Sequence, residues 1–208
     1  TPILAGTAEA GSTVTVSIGG ATYTTTATGG VWSVNTATAT PTSGTLSLNL
    51  NGANAVSVSA RDAANNATTT GQSLVIDTTA PGLSIGAIAI DDILNAVERG
   101  SGLVISGATT AENGQVVTVT LNSKTYTGVA NAGVWSVAVG ASDVASLSGT
   151  NTVRANISDA AGNAASQATR SLSVDATAPA LAITSGALTN NAAPVISGTA
   201  EAGATEIG

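Results

Sequence analysis

The stretch VVTVTLNSKTYTGVANAGVWSVAV, residues 116–139, decides the fold of this chain. Apolar and polar residues alternate along it, and this is the pattern of strands that bury one face and expose the other. The same alternation appears in SLSV at 171–174. The residues predicted to face the core are Val117, Val119, Leu121, Trp135, Val137, Val139, Leu172 and Val174. The pattern therefore favours sheets that pack face to face.

Seven strands are predicted outward from this stretch. They are A at 83–90, B at 102–107, C at 116–121, D at 124–129, E at 134–139, F at 151–158 and G at 165–174. Seven short strands in fewer than a hundred residues indicate an all-β antiparallel sandwich. Between E and F, GASDVASLSG at 140–149 predicts a short helix, with Ser142 as its N-cap and Asp143 near its positive end.

The chain repeats itself with a period of about 100 residues. GTAEAG at 6–11 recurs at 198–203, and ATYTTTATGGVWSV at 21–34 matches KTYTGVANAGVWSV at 124–137. The match aligns the two Tyr and the two Trp, and the Trp rings are expected in the core. The predicted domains are a repeat lacking its first strand at 1–79, a complete repeat at 80–177 and the N-terminal part of a third at 178–208.

Composition excludes several kinds of function. The 208 residues include no Cys, His or Met, so thiol and imidazole chemistry are absent and any metal must be held by oxygen. Five basic residues against twelve acidic ones leave no patch for nucleic acid or anionic lipid. We expect no catalysis, because carboxylates at domain ends lack a pocket and the Ser and Thr hydroxyls lack an activating base. No apolar run is long enough to span a bilayer.

Two acidic motifs recur at matching places in successive repeats. RDAANN at 61–66 corresponds to SDAAGN at 158–163, and DTTAP at 77–81 corresponds to DATAP at 175–179. Gly162 and Asn65 occupy a turn position where a left-handed backbone is expected. Pro81 and Pro179 restrict the backbone after each linker Asp and indicate a short, stiff joint.

Together these motifs resemble the bacterial Ig-like repeats of very large surface adhesins, including RTX and biofilm-associated adhesins exported by type 1 secretion. The resemblance covers essentially the whole chain. It implies tandem Ig-like seven-stranded β-sandwiches arranged as an elongated rod on the outside of a bacterial cell. It also implies that calcium holds neighbouring repeats in line, so that the partners of each repeat are its neighbours in the chain.

Eleven of the twelve acids fall in loops at the predicted ends of the repeats, and Glu206 is the exception. Carboxylates brought together where two repeats meet repel by about 1 kcal/mol or more per close pair unless a cation lies between them. Calcium suits such ligands, because it takes six to eight oxygens in irregular geometry. The candidate calcium ligands are Asp77, Glu112, Asp159, Asn163, Asp91, Asp92, Glu98, Asp175, Glu201, Glu9 and Asp62.

Other interpretations remain open for these residues. Loops collect Asp whether or not a metal is present, and Asn163 and Asn66 can close a turn instead of offering amide oxygens. DDILNAVE at 91–98 lacks the spacing of an EF-hand, and its counterpart ALTNNAAP at 187–194 carries no acid. The group at 91–98 is therefore the weaker candidate, and the pair Asp77 and Asp159 the stronger.

Three functions are consistent with the sequence. The first is a calcium-rigidified extender of a surface adhesin, in adhesion or biofilm formation. The second is a ligand-binding module whose Thr-rich faces recognise a glycan or another surface. The third is a strand-exchanging filament subunit, because the first repeat lacks strand A while the last 30 residues supply one, although cutting the sequence from a longer chain explains the same ends.

Overall fold

The computed structural model describes residues 1–202, which divide into two compact units. The first unit holds residues 1–80 and 159–164, and the second holds 81–158 and the residues from 165 onward. Each unit has its own hydrophobic core. In the described part of the chain no helix is both long and apolar enough to cross a membrane.

The first unit is built from two antiparallel sheets. Its strands are β1 (Ile3–Thr7), β2 (Thr13–Ile18), β3 (Ala21–Thr26), β4 (Val31–Asn35), β5 (Gly52–Arg61) and β6 (Ala67–Ile76). β1 pairs with β4, and the other sheet has the order β3-β2-β5-β6. Alternate residues such as Val14, Val16 and Val34 point into the core between the sheets.

The second unit repeats this plan. Its elements are β7 (Ile93–Leu94), α1 (Ala96–Arg99), β8 (Leu103–Ala108), β9 (Val116–Leu121), β10 (Lys124–Val129), β11 (Val134–Val139), α2 (Ala141–Ala145), β12 (Thr150–Asn156) and β13 (Ala168–Val174). β8 pairs with β11, and the facing sheet has the order β10-β9-β12-β13-β7. A short pair, β14 (Leu181–Ile183) and β15 (Gly198–Ala200), follows. The predicted all-β sandwich is confirmed.

Burial follows the predicted alternation. Val117 and Val119 in β9 are fully buried, and Leu121 is 1% exposed. Trp135 and Trp32 are 2% and 9% exposed, so both rings belong to the core as expected. Predicted strands C, D and E coincide with β9, β10 and β11.

Strand A is the main correction. Residues 83–90 form no continuous strand: Leu83 makes one bridge to Thr109, and the backbone N–H groups of Ser84 and Gly86 donate to β8. Ala89 and Ile90 then take positive φ angles of 50° and 72°, which end the extended backbone. The chain crosses to the facing sheet, where β7 pairs in parallel with β13. Residues 83–94 therefore hydrogen-bond first to β8 in one sheet and then, through β7, to β13 in the other.

The predicted helix between E and F is present, but its cap differs. α2 begins after Gly140, which has no capping side chain, and Ser142 lies inside the helix instead of capping it. The sequence interpretation missed α1, where Asn95 and Glu98 form a capping box: each side chain accepts from the backbone of the other. Arg99 of α1 donates to the carbonyl oxygen of Ala145 at 2.9 Å, so the two helices lie together in the second unit.

Gly107 lies where the backbone of β8 comes very close to the backbone at Ser84 and to the ring of Trp135. A Cβ at this position would lie 1.9 Å from the carbonyl oxygen of Ser84 and 2.7 Å from Trp135 Cζ2. Because glycine has no Cβ, it alone lets the backbone at Ser84, strand β8 and the indole ring of Trp135 pack this closely. Gly6 holds the matching place beside Trp32 in the first unit.

Candidate metal-binding residues

The turns at 62–66 and 159–163 have the same construction. Each Asp accepts two hydrogen bonds from the Asn four residues later, one from the backbone N–H and one from the side-chain amide, at 2.8–2.9 Å. Asn65 and Gly162 take φ angles of 70° and 91°, as the sequence predicted. In both turns the Asp carboxylate is the acceptor that closes the loop, and the Asn supplies its amide nitrogen.

The hydrogen bonds in these turns favour the charged carboxylate. The side-chain amide of Asn163 lowers the pKa of Asp159 from its ordinary value, and backbone N–H groups add to the effect against the opposing effect of burial. The side chain of Asn66 lowers the pKa of Asp62 in the same way. Asp159 is only 7% exposed. Both groups therefore stay anionic at neutral pH, as a calcium ligand must.

Asn163 also reaches the linker. Its side-chain nitrogen donates to the backbone carbonyl of Asp77 at 3.1 Å, and residues 159–164 cluster with the first unit. The Asp77 carboxylate accepts from the backbone N–H of Thr79 at 2.8 Å, and Asp175 repeats this bond with Thr177 at 3.1 Å. Asn163 thus brings the Asp77 carbonyl and the Asp159 carboxylate to one side chain.

The acids at 91–98 have separate local partners. Asp91 accepts from the backbone N–H of Ile93 at 3.0 Å, and Glu98 accepts from that of Asn95 at 3.1 Å. Asp92 accepts from Ile88 and from Arg170, whose hydrogen bonds lower the pKa of the Asp92 carboxyl. These three carboxylates stabilise the turn after residue 88 and the start of α1.

The remaining candidates are spread over the loops. Glu9 and Asp62 line one cavity of about 250 Å³ in the first unit. Glu112 is exposed in the turn between β8 and β9. Glu201 pairs with Ala180, donating its backbone N–H at 3.0 Å and accepting at its carboxylate at 3.4 Å. Glu206 lies outside the described residues.

Two polar networks were missed by the sequence interpretation. Asp143 forms an ion pair with Lys124 and accepts from the hydroxyl of Tyr126 at 2.8 Å. Arg170 forms an ion pair with Asp92 at 2.6 Å. The sequence did contain a sign of the Arg170–Asp92 pair. Arg170 alternates with Leu172 and Val174 on the core-facing side of the strand, and a charged side chain on that side needs a partner.

The donor set fits a hard cation in its chemistry, because every candidate ligand is an oxygen from a carboxylate, amide or carbonyl. Within residues 1–202 no three acidic side chains converge on a common point. The structure brings the candidate oxygen ligands together only in pairs. Glu9 and Asp62 line the same cavity. The Asp159 carboxylate and the Asp77 carbonyl both accept from the side chain of Asn163. The calcium ligands stay a prediction.

Solved structures of adhesins are similar to this chain. A Ca2+-stabilized adhesin that helps an Antarctic bacterium reach out and bind ice is 32% identical over 88% of this chain and 46% of its own, with a TM-score of 0.47. A 1.5-MDa bacterial ice-binding adhesin is 33% identical over 84% of this chain and 58% of its own, with a TM-score of 0.45. This chain therefore spans about half the length of those two structures.

One solved structure of a single domain matches this chain along almost the whole of its own length. The bacterial immunoglobulin-like domain from the M. primoryensis ice-binding adhesin is 36% identical over 47% of this chain and 99% of its own length, with a TM-score of 0.37. No protein-family model matches the sequence, and no curated protein matches it. The sequence identity thus extends across one whole domain.

Proposed function

The chain belongs to the bacterial Ig-like repeats of giant adhesins, and we propose that it is an extender segment of such an adhesin at the bacterial cell surface. Its task is to carry a distant binding region away from the cell, in adhesion or biofilm formation. The observation that supports this role is the repetition of the unit itself, including the Asp–Asn turn at 62–66 and again at 159–163. The role is mechanical and includes no catalytic step.

Calcium is the second part of the proposal. One similar adhesin is described as Ca2+-stabilized, and the repeated loops of this chain offer oxygen ligands whose pKa values favour the anion. Asp77, Asp159, Asn163 and Glu112 are the residues we expect to hold an ion beside the linker. Glu9 and Asp62 are their counterparts in the first unit. A bound calcium would neutralise these carboxylates and stiffen the joint between neighbouring repeats.

The remaining acids are weaker calcium ligands in this proposal. Asp91, Asp92 and Glu98 already accept from nearby N–H groups, and Arg170 neutralises Asp92. Asp175 and Glu201 are the counterparts, in the third repeat, of Asp77 and Glu112. We therefore expect them to serve a further joint of the same kind.

Small-angle scattering during a calcium titration tests the proposal. We expect the maximum dimension of the chain to grow on adding calcium and to return on adding a chelator. Asp77→Asn should weaken this response, because the linker loses a charged ligand while the amide oxygen can still accept from Thr79. Asp143→Asn is the matched control, since that carboxylate is bound by Lys124 and Tyr126. A scattering profile that calcium leaves unchanged contradicts the calcium proposal.

A further inference from the structure

The first unit has a loop that covers the outer edge of β3. Residues 36–51 connect β4 to β5, and part of this loop, residues 41–48, runs beside β3; we term that part the edge strap. The backbone N–H of Thr22 donates to the Ser43 carbonyl at 2.9 Å, and that of Thr42 donates to the Thr22 carbonyl at 2.7 Å. Because β3 is the last strand of its sheet, these bonds occupy backbone groups that an added strand would need.

Packing holds the edge strap against the unit. Leu46 and Leu48 are partly buried against the core of the first unit. Gly44 takes a φ angle of 72°, and a Cβ at this position would lie 2.0 Å from the carbonyl oxygen of Gly20. Only a glycine allows this approach. The edge strap is therefore fitted to the turn before β3 as well as to β3 itself.

The second unit has no edge strap. Its loop at 140–149 is shorter and folds as α2. Thr125 of β10 matches Thr22 in the repeat, and within residues 1–202 the Thr125 backbone makes no hydrogen bond beyond those of its own sheet. β10 is also the last strand of its sheet. The outer edge of β10 is therefore not covered by backbone pairing in the described part of the chain.

A charged residue lies on this uncovered edge. Lys124, the first residue of β10, is the only Lys in the chain, and it matches Ala21 of the first unit. Ala21 is buried, whereas the Lys124 side chain is 55% exposed. Asp143 of α2 forms an ion pair with Lys124 and holds it at the end of β10. Lysine on an edge strand hinders strand addition, because a strand laid beside it would have to remove the ammonium group from water.

We propose that the outer edges of β3 and β10 are surfaces to which a second copy of this chain would add by strand pairing, and that each unit keeps its edge closed by a different device. The edge strap closes the edge of β3, and Lys124 closes the edge of β10. The chain has a buried Ala where the edge strap is present and its single Lys where the edge strap is absent. Neighbouring copies of a repetitive chain thereby stay separate at high local concentration.

Sedimentation velocity over a range of protein concentrations tests the device on β10. Lys124→Ala places the residue of the first unit on the uncovered edge, and we expect the sedimenting boundary to shift to faster species as the concentration rises. Arg154→Ala is the matched control, because it removes the same charge from an exposed residue of β12, which lies inside the same sheet. A Lys124→Ala chain that sediments like the unchanged chain, or an Arg154→Ala chain that associates equally, overturns the proposal.

A second variant opens the edge strap. Thr42→Pro removes the N–H that donates to Thr22, and Gly44→Val brings a side chain against the Gly20 carbonyl. The double variant should associate as its concentration rises. Adding Thr24→Lys, a charge on an exposed residue of β3, should abolish the association, since Lys then does on β3 what Lys124 does on β10.

The Lys addition separates edge pairing from aggregation of an unfolded chain. A double variant that keeps the circular dichroism of the unchanged chain and stays monomeric overturns the proposal. Association that Thr24→Lys leaves unchanged in such a folded variant also overturns it. Should the double variant unfold, the comparison of Lys124→Ala with Arg154→Ala decides alone, because both side chains lie at the surface.

Discussion

Arg170 holds Asp92 with two hydrogen bonds, one from Nε and one from Nη2, each 2.6 Å long. The same guanidinium donates to the carbonyl of Ile85. Arg170 therefore fastens the segment that crosses between the sheets to β13, at the point where β7 begins its parallel pairing. A planar, forked donor suits this task, and lysine could not replace it.

The first prediction concerns acid stability. Arg170 holds the pKa of Asp92 below its ordinary value, so the stability that this carboxylate contributes is present at neutral pH and is lost as the pH falls through the lowered pKa. Asp92→Asn should lower the melting temperature at pH 7 by a few degrees and show a smaller further loss below about pH 4. Thermal melts across pH measure both. Asp91→Asn, which leaves Arg170 its partner, should keep the acid dependence of the unchanged chain.

The second prediction compares the two Asp–Asn turns. Asn163→Ala removes the donor to both Asp159 and the Asp77 carbonyl, and should cost about 2 kcal/mol. Asn66→Ala removes one such bond, to Asp62, and should cost about 1 kcal/mol. Urea unfolding gives the totals, and hydrogen exchange at the residue 163 amide reports the local effect. Equal costs would show that the bond to Asp77 contributes nothing.

The third prediction concerns Gly107. Gly107→Ala places a methyl group against the Ser84 carbonyl and the Trp135 ring, and should destabilise the second unit by about 3 kcal/mol. Gly6→Ala should cost less, because the nearest atoms there belong to the indole of Trp32 and lie no closer than 2.9 Å. Gly140→Ala, with no atom within 4 Å, is the neutral control. Urea unfolding followed by Trp fluorescence measures all three.

The fourth prediction concerns Tyr126. Burial, followed by its hydrogen bond to Asp143, raises the pKa of Tyr126 to about 12. A folded-state pKa above the unfolded value stabilises the protein below about pH 10, and this contribution is lost as the pH rises toward 12. Ultraviolet titration in a Tyr23→Phe background, which leaves one Tyr, should show the high pKa. Adding Asp143→Asn should lower it, and an unchanged titration contradicts the assignment.

Periodicity predicted the strands whose residues keep one face throughout. β9, β10 and β11 begin and end where the alternation of apolar and polar residues does. In each strand the apolar residues must face the core, and only one pairing register achieves this. The same alternation did not predict the course of residues 83–94. This segment donates hydrogen bonds to β8 first and then, through β7, pairs with β13. Ala89 and Ile90 take positive φ angles between the two. No single period of alternation describes a segment that changes sheets.

The loop positions of most acids could be predicted from the sequence, but their hydrogen-bond partners could not. Loops were expected to hold the acids, and the left-handed residues Asn65 and Gly162 were expected in their turns. An Asp in a turn, however, satisfies a nearby N–H as readily as it binds a cation. Which partner it takes depends on atoms that the fold brings close, such as Arg170, which lies 78 residues from Asp92 in the chain.

The parallel pairing of β7 with β13 determines how the second unit bears tension. β7 lies soon after the chain enters the unit and β13 immediately before it leaves, and the two run in the same direction. A force that pulls the ends of the unit apart therefore slides these strands lengthwise and loads their hydrogen bonds all at once, instead of peeling them one by one. In the extender role proposed above, this pair would act as a clasp that resists rupture along the direction of pull.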